Sequence, residues 1–206
     1  MLRLAALLLV LAAGPAGEPA ARTLLILGDS LTAGYGVAPD QAWPALLRAH
    51  LAGAATTAAW RVVDAGVSGD TSAGGAARLP ALLRRHRPQA VLIALGGNDG
   101  LRGLPSETLA ANLARMLTAV RAASAAPLVA GMLLPTSFPE RDRLAFAAVF
   151  TRTAASASAA LYPFLLDGVA MDPALNLPDL IHPNPAGHRV LAHRLAAWLP
   201  AHLPSP

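Results

Sequence analysis

The sequence predicts a three-layer α/β/α domain, in which helices cover both faces of a doubly wound parallel sheet of five strands. Between Thr23 and Leu199, short apolar runs alternate with stretches of helical periodicity. Continuously apolar runs are typical of strands that are buried on both faces, as in a parallel sheet. Strands that alternate with helices are joined by right-handed crossovers, which place helices on both sides of the sheet. The length of 206 residues fits one domain of this kind.

Five apolar runs are the predicted strands. They are Thr23–Leu27, Arg61–Ala65, Ala90–Leu95, Pro127–Leu134 and Ala160–Leu166. The first three runs stop at Gly28, Gly66 and Gly96. Since glycine interrupts strand patterns, these positions mark the strand ends and the start of connecting turns.

Five further segments are the predicted helices. They are Pro39–Leu51, Thr71–Arg87, Ser106–Ala123, Arg141–Ala159 and Pro185–Leu199. Apolar residues three and four positions apart give the first and third segments one apolar face. Pro80 is expected to kink or interrupt the second segment, because proline lacks a backbone N–H. Ser106 and Asn184 are predicted N-caps, with Pro185 at the favourable first helical position.

The composition excludes several classes of protein. An apolar fraction of 54% is too high for a disordered chain. The absence of cysteine excludes disulfide scaffolds, cysteine-ligated zinc and thiol nucleophiles. All 16 basic residues are arginines, scattered apart from Arg84, Arg85 and Arg87, which we interpret as a solvated helix end. With 4% aromatic residues to stack on bases, nucleic-acid binding is not expected.

The first 21 residues are predicted to be a signal peptide. Arg3 supplies a positive charge, and Leu4–Ala13 is an apolar run without a polar face, followed by small residues and prolines. This run is too short to span a bilayer core, which needs about 20 residues. Cleavage after Ala16 or Ala21 is expected to leave one periplasmic or secreted domain, approximately residues 22–206. We expect no transmembrane segment in that mature chain, and we favour a monomer.

Glycine-rich polar segments follow the first three predicted strands. They are Gly28–Leu31, Gly66–Asp70 and Gly96–Gly100. In open parallel sheets, ligands bind outside the carboxyl ends of the strands. We therefore expect these three segments to share one edge of the sheet and to form the functional site.

Ester hydrolysis requires a nucleophile, a base, a group that orients the base, and oxyanion donors, and these segments together with Asp179 and His182 contain them. Ser30 is a candidate nucleophile at a strand-to-helix turn, although serine is also a preferred N-cap. The spacing of Asp179 and His182 allows the carboxylate to orient the imidazole toward Ser30, although such a pair also occurs by chance. The N–H of Gly69 and the amide of Asn98 are candidate oxyanion donors, and both residue types are also common in turns.

Other polar residues are interpreted as structural. Asp29, Asp70 and Asp99 are expected to organise the turns in which they lie. His188 and His193 fall in the last predicted helix and are interpreted as surface residues. Because the histidines lack ligand spacing and no carboxylates cluster with them, we expect no metal site and no cofactor.

Four blocks of the sequence resemble those of the SGNH hydrolases, also called GDSL esterases. They are Ile26–Leu31, Ser68–Asp70, Gly96–Asp99 and Asp179–His182, in the order that the family has. The resemblance implies the flavodoxin-like fold of that family. It also implies Ser30 as nucleophile, Asp179 as the orienting carboxylate and His182 as base. The N–H groups of Ser30 and Gly69 and the side chain of Asn98 would then be the oxyanion donors.

Within that family, the chain is similar to the periplasmic group of thioesterase I, lysophospholipase L1 and arylesterase enzymes. The similarity lies in segments such as Leu24–Tyr35 and Leu95–Gly103. It implies a serine esterase that hydrolyses esters and thioesters of fatty acyl groups through an acyl-enzyme, without a cofactor. The substrate would be a small-molecule or lipid ester.

The acyl pocket is the least defined part of this interpretation. Leu101, Leu104 and Leu134 are candidates by their position near the site, although leucines there also suit ordinary core packing. The segment Phe138–Arg143 departs from the pattern of the similar enzymes, which leaves the acyl-chain preference open. A carbohydrate O-acetylesterase of the same family is the first alternative. A non-catalytic binding protein is the second, and the complete set of catalytic residue types argues against it.

Overall fold

Five strands form one parallel sheet at the centre of the computed structural model, which describes residues 21–54, 57 and 60–204. The strands are β1 (Arg22–Gly28), β2 (Trp60–Gly66), β3 (Ala90–Ala94), β4 (Ala126–Ala130) and β5 (Ala160–Tyr162). Their order across the sheet is β2-β1-β3-β4-β5, and every neighbouring pair is parallel. This is the order of flavodoxin-like doubly wound sheets, so the predicted fold class is confirmed.

Helices cover both faces of this sheet. They are α1 (Ser30–Ala33), α2 (Trp43–Gly53), α3 (Ser72–His86), α4 (Gly97–Leu101), α5 (Ser106–Ala122), α6 (Glu140–Ser156) and α7 (Pro185–Trp198), followed by a 3₁₀ turn at Leu199–Ala201. Helix α2 packs against α7, while α3, α5 and α6 pack in a row. These two sets form the outer layers of the three-layer arrangement.

The register of the sheet brings the polar segments together. Residues Leu24–Leu27 of β1 have no exposed surface, and β3 is buried along its whole length. At its carboxyl end, Gly28 of β1 lies opposite Gly66 of β2 and Ala94 of β3. Because the three strands end level with one another, the loops that follow them meet at one edge, as predicted.

Several helix boundaries differ from the prediction. Helix α2 begins at Trp43 because the preceding residues form turns, in which the Gln41 N–H donates to the Ala38 carbonyl at 2.9 Å. Helix α3 continues through Pro80, so the expected interruption is wrong. Pro80 is exposed, and on the solvent side of a helix the backbone hydrogen bonds are already lengthened by curvature.

The predicted N-caps had different outcomes. Ser106 is the first helical residue of α5 rather than its cap, and Pro105 occupies the cap position without a side-chain hydrogen bond. The expectation for Ser106 is therefore wrong. Asn184 does cap α7, since its side chain accepts hydrogen bonds from the N–H groups of Ala186 and Gly187. That prediction is confirmed.

The last two strands are shorter than their apolar runs. Strand β4 ends at Ala130, and β5 ends at Tyr162. Beyond them, Gly131 still exchanges backbone hydrogen bonds with Tyr162 and Leu165, at 2.8 and 2.9 Å. The apolar residues that follow leave the sheet and line a groove, so apolarity alone overestimated the strand length.

Two expectations concern membranes and targeting. In the described part of the chain, no helix has the length and apolar character needed to cross a bilayer. The predicted signal peptide lies outside the described residues, except for Ala21.

Candidate active site

Ser30 opens helix α1 at the carboxyl end of β1. The N-cap of α1 is Asp29, whose side chain accepts a hydrogen bond from the Leu31 N–H at 3.0 Å. Ser30 is therefore not the capping residue, and its hydroxyl is free to point elsewhere. Its Oγ lies 2.9 Å from Nε2 of His182, and the serine is only partly buried.

Asp179 holds the other side of the His182 ring. Its Oδ2 lies 2.7 Å from Nδ1 of His182, and its Oδ1 accepts the backbone N–H groups of Ile181 and His182, both at 2.9 Å. Leu180 between them has a φ of +57°, which closes the loop tightly. A carboxylate at Nδ1 fixes the proton on that nitrogen, so Nε2 accepts the Ser30 hydroxyl proton.

The electrostatics keep Asp179 ionised. Partial burial acts to raise the pKa of Asp179, but hydrogen bonds from the backbone and ring of His182 and from the Ile181 N–H outweigh it and lower that pKa. The ring of Tyr35 lies against the imidazole, with 4.5 Å between ring centroids. The imidazole is therefore held by a charged acceptor on one side and an aromatic ring on another.

Three hydrogen-bond donors lie on the loops around Ser30. The N–H groups of Ser30 and Gly69 donate to no acceptor within the described residues. Gly69 has a φ of +78°, a conformation that favours glycine. The side-chain Nδ2 of Asn98 donates to the Asp70 carbonyl at 2.9 Å, which holds the amide at the same edge. The structure thus brings the predicted nucleophile, base, orienting carboxylate and oxyanion donors to this edge.

Arg78 and Arg102 support these loops and were not predicted. The guanidinium of Arg78 contacts the Asp70 carboxylate at 2.8 Å and also donates to the carbonyl groups of Ala65 and Gly28. Arg102 donates to the Gly69 carbonyl at 2.9 Å. No local pattern marks either arginine, because the carbonyl groups that they bond lie 13 to 50 positions away along the chain.

Asp29 and Asp70 lie in turns of the site, as predicted, whereas Asp99 lies within helix α4. Asp70 pairs with Arg78, and Asp99 is buried and accepts hydrogen bonds from the N–H and hydroxyl of Ser72. Burial raises the pKa of Asp29 to about 6, against the lowering effects of the Leu31 N–H and His182. Among the described residues, no cluster of three or more potential metal ligands exists.

His188 is not on the surface, and this expectation is wrong. Its exposed fraction is 1%, because α7 packs against α2 at this position. Its Nδ1 accepts the Trp43 N–H at 3.2 Å, the first residue of α2. Burial, together with His182, lowers the pKa of His188 to about 4, so the ring is neutral at pH 7. His193 is exposed, as predicted.

An apolar groove with a volume of about 260 Å³ borders the site, since its lining includes Leu31, which follows Ser30, and Ile181, which precedes His182. It is lined by Leu31, Gly97, Leu101, Met132, Leu133, Leu134, Pro135, Thr136, Arg143, Phe164, Leu166, Ala170, Met171, Leu180 and Ile181. Leu101 and Leu134 were candidates for an acyl pocket, and both line it. Leu104 does not; it lies in a separate hollow, which Leu134 also borders. A larger hollow between α5 and α6 contains none of the predicted site residues.

Large exposed apolar side chains surround the same edge. In the described chain they are Tyr35, Val67, Leu101, Leu104, Leu133, Leu144, Met171 and Ile181. Seven of them lie in the segments that follow strands, and Leu144 lies in the second turn of α6. We call this set the apolar rim. Scattered exposed leucines are normal, but a set confined to one edge is typical of a surface that meets apolar ligands.

A serine hydroxyl bonded to a carboxylate-oriented imidazole, at the carboxyl edge of this sheet, defines the protein as a serine hydrolase. The chain belongs to the GDSL-like Lipase/Acylhydrolase family, whose model matches residues 26–190. The predicted family is therefore confirmed.

Similar proteins include curated enzymes and solved structures. The chain is 43% identical over 180 residues to thioesterase 1/protease 1/lysophospholipase L1 of Escherichia coli, which covers 87% of this chain and 84% of that protein. It is 36% identical over 205 residues to an arylesterase of Vibrio mimicus, covering 98% of this chain and all of that one. The psychrotrophic esterase EstA from Pseudoalteromonas sp., inhibited by monoethylphosphonate, matches with a TM-score of 0.81 and 32% identity, covering 86% and 98% of the two chains.

Proposed function

We propose that the protein is an esterase of fatty acyl esters and thioesters, with Ser30 as nucleophile, His182 as base and Asp179 as the orienting carboxylate. One observation carries this proposal: Ser30 Oγ contacts His182 Nε2 at 2.9 Å, and Leu31 and Ile181, their neighbours in sequence, line an apolar groove. A nucleophile and a base at hydrogen-bond distance satisfy the first geometric requirement of acyl transfer. The groove supplies a place for an apolar acyl chain.

The reaction proceeds through two displacements. His182 Nε2 takes the proton of the Ser30 hydroxyl as Oγ attacks the ester carbonyl carbon. The tetrahedral intermediate collapses when His182 returns this proton to the leaving alcohol or thiol, and an acyl-enzyme remains on Ser30. Water, deprotonated by His182, then attacks the acyl-enzyme, and the carboxylic acid leaves. Asp179 stabilises the imidazolium in both steps without becoming protonated.

The oxyanion is stabilised by the N–H groups of Ser30 and Gly69 and by the Asn98 amide. The two backbone groups are available, since neither donates elsewhere in the described chain. The Nδ2 of Asn98 donates to the Asp70 carbonyl at 2.9 Å and to Asp29 Oδ2 at 3.4 Å, and the longer of these two bonds would be replaced by the bond to the oxyanion. Donors that are fixed before the reaction stabilise developing charge most effectively.

The apolar rim and groove favour an amphiphilic substrate. Leu101 and Leu134 would contact the acyl chain, and the rim would accept the apolar part of a lipid or aryl ester. The names of the relatives cover thioesters, lysophospholipids and aryl esters. We propose the same classes here, with lysophospholipids or other fatty esters as the physiological substrates.

We further propose that the enzyme acts outside the cytoplasm, as a monomer. The support for export is the predicted signal peptide with its charged start and apolar run, which would be removed to leave a single domain of about residues 22–206. An exported enzyme does not meet cytoplasmic acyl-CoA. Thioester hydrolysis would therefore be an activity of which the site is capable, rather than its physiological function. N-terminal sequencing of secreted protein tests this, and a sequence that begins at Met1 contradicts it.

The function is tested with p-nitrophenyl esters from acetyl to palmitoyl, using the mature protein and Ser30→Ala as the blank. We expect turnover that depends on Ser30 and is strongest with medium or long chains. Turnover confined to the acetate would contradict the fatty acyl preference and support a carbohydrate O-acetylesterase. No turnover that depends on Ser30 would overturn the role of Ser30 itself.

A further inference from the structure

Arg143 introduces a positive charge into a groove that is otherwise uncharged. Of the described residues that line the groove, Arg143 alone has an ionised side chain. It lies in the first turn of α6 and shares the lining with Leu134 and Thr136. An acyl chain that fills the groove would therefore pass Arg143.

This guanidinium has no partner within the described part of the chain. Its Nε is buried and donates no hydrogen bond. The ion pairs there involve Arg78, His182 and Arg194, and neither Glu140 nor Asp142 pairs with Arg143 from the same turn. Arg143 thus differs from the arginines that support the fold through carbonyl or carboxylate partners.

An unpaired cation at this position costs stability. Burial removes water from Arg143 Nε without a hydrogen bond in return. The first turn of a helix also carries the positive end of the helix dipole, which disfavours a cation. The contribution of the charge to the fold is therefore unfavourable, and a ligand that supplies an anion would offset it.

We propose that Arg143 forms a subsite for an anionic group, a carboxylate or a phosphate, on the ester substrate. This inference rests on the proposed function, because it takes the groove as the place where the substrate binds. The planar guanidinium matches two oxygens of either anion, and a charged hydrogen bond of this kind is stronger than a neutral one. No acidic residue among the described groove residues would repel the anion.

The alternative role of Arg143 is packing. Arginine side chains cover apolar surface with their methylene stems while the charged end stays near water. A methionine keeps the unbranched stem and removes the charge. Arg143→Met therefore separates the two roles, and Arg143→Lys retains a charge without the planar fork.

The experiment measures the hydrolysis of matched neutral and anionic esters by the mature enzyme. The ester concentrations are kept below those at which the esters aggregate. The first pair is p-nitrophenyl octanoate and its analogue with a carboxylate at the end of the acyl chain. The second pair is 1-octanoylglycerol and 1-octanoylglycerol 3-phosphate, which places the anion on the leaving group. The readout is the anionic-to-neutral ratio of kcat/KM within each variant, because this ratio is independent of the amount of active enzyme.

We expect Arg143→Met to lower this ratio roughly tenfold for one of the two pairs, and that pair identifies whether the anion lies on the acyl chain or on the leaving group. Arg143→Lys should lower the ratio less than Arg143→Met does, because it keeps the positive charge. Arg141→Met is the matched control, since Arg141 is exposed in the same turn and does not line the groove.

Two outcomes would overturn the subsite. In the first, both ratios in Arg143→Met equal those of the wild type while the neutral esters are hydrolysed. In the second, Arg141→Met lowers the ratio as much as Arg143→Met does, which would assign the effect to the overall electrostatic field of the protein surface. A failure of the proposed function is distinguishable from both, because it would abolish Ser30-dependent hydrolysis of the neutral esters as well.

Discussion

The side-chain amide of Asn98 donates a 2.9 Å hydrogen bond to the backbone carbonyl of Asp70. This bond joins the loop after β3 to the loop after β2, next to the Gly69 N–H. The Asp70 carboxylate is in turn held by Arg78, which also bonds to the carbonyl of Gly28 at the end of β1. The Asn98 amide therefore belongs to one hydrogen-bonded network that spans the carboxyl ends of three neighbouring strands.

Replacing Asn98 by alanine removes one proposed oxyanion donor. We expect kcat to fall about 10²- to 10³-fold, since a single donor typically contributes this much. The loss should appear in kcat rather than in KM, because the donor acts on the transition state. Steady-state kinetics on a p-nitrophenyl ester measures this, and the thermal unfolding midpoint shows that the variant is folded. A folded Asn98→Ala variant with full activity would exclude Asn98 as a donor.

Asp179→Asn tests the orienting role without changing the shape of the loop. The asparagine oxygen still accepts the N–H groups of Ile181 and His182, but its NH₂ faces Nδ1 of His182 in place of the carboxylate. The imidazole then adopts the wrong tautomer, and we expect kcat to fall by roughly 10⁴. Asp40→Asn is the control, because Asp40 is exposed and forms no ion pair within the described residues. Equal activities of the two variants would contradict the role of Asp179.

Asp29 should make the stability depend on pH. Burial raises the pKa of Asp29 from 3.8 to about 6, so between these values the folded state binds a proton that the unfolded state has lost. The free energy of unfolding therefore falls as the pH rises through this window. Asp29→Asn cannot ionise, and its stability relative to the wild type should rise by roughly 3 kcal/mol between pH 3.5 and pH 7. Urea denaturation measures this difference; a difference that stays constant with pH would show that Asp29 ionises normally.

His188 should have the opposite effect, so that the free energy of unfolding rises with pH. Burial and His182 lower the pKa of His188 from 6.5 to about 4, so its contribution to stability is present above pH 6.5 and is lost as the pH falls through 4. In His188→Asn the asparagine oxygen can still accept the Trp43 N–H. The stability advantage of the wild type over this variant should shrink by about 3 kcal/mol between pH 7 and pH 4.

The matched control is His193→Asn, since His193 is exposed on the same helix. It should leave the pH dependence of unfolding unchanged. If both variants changed the pH dependence equally, burial of His188 would not be the cause.

The architecture was predictable because its signals are local. A strand that is buried on both faces must be apolar at successive positions, and the runs at Leu24–Leu27 and Ala90–Ala94 show this directly. The apolar runs after Ala126 and Ala160 are equally clear, but only their first residues join the sheet. Apolarity reports burial, and it does not distinguish a strand from the wall of a groove.

The candidate site was partly predictable for the same reason. Parallel strands direct their carboxyl ends to one edge, so the residue types after β1, β2 and β3 indicated where Ser30, Gly69 and Asn98 would meet. The acyl pocket was not predictable to this extent, because Leu104 follows α4 on the other side of Leu134. Residues that are close in sequence can border different hollows, and the local sequence does not distinguish them.

The sequence by itself determined the order of strands and helices, the edge that carries the site, and the residue types available for acyl transfer. The tertiary structure alone decided the 2.9 Å contact between Ser30 and His182, which are 152 positions apart, the burial of His188 between α2 and α7, and the unpaired Arg143 in the groove. The physical reason is the range of the interactions. Periodicity and turn chemistry act between residues a few positions apart, whereas burial and hydrogen-bond partners depend on how distant elements pack.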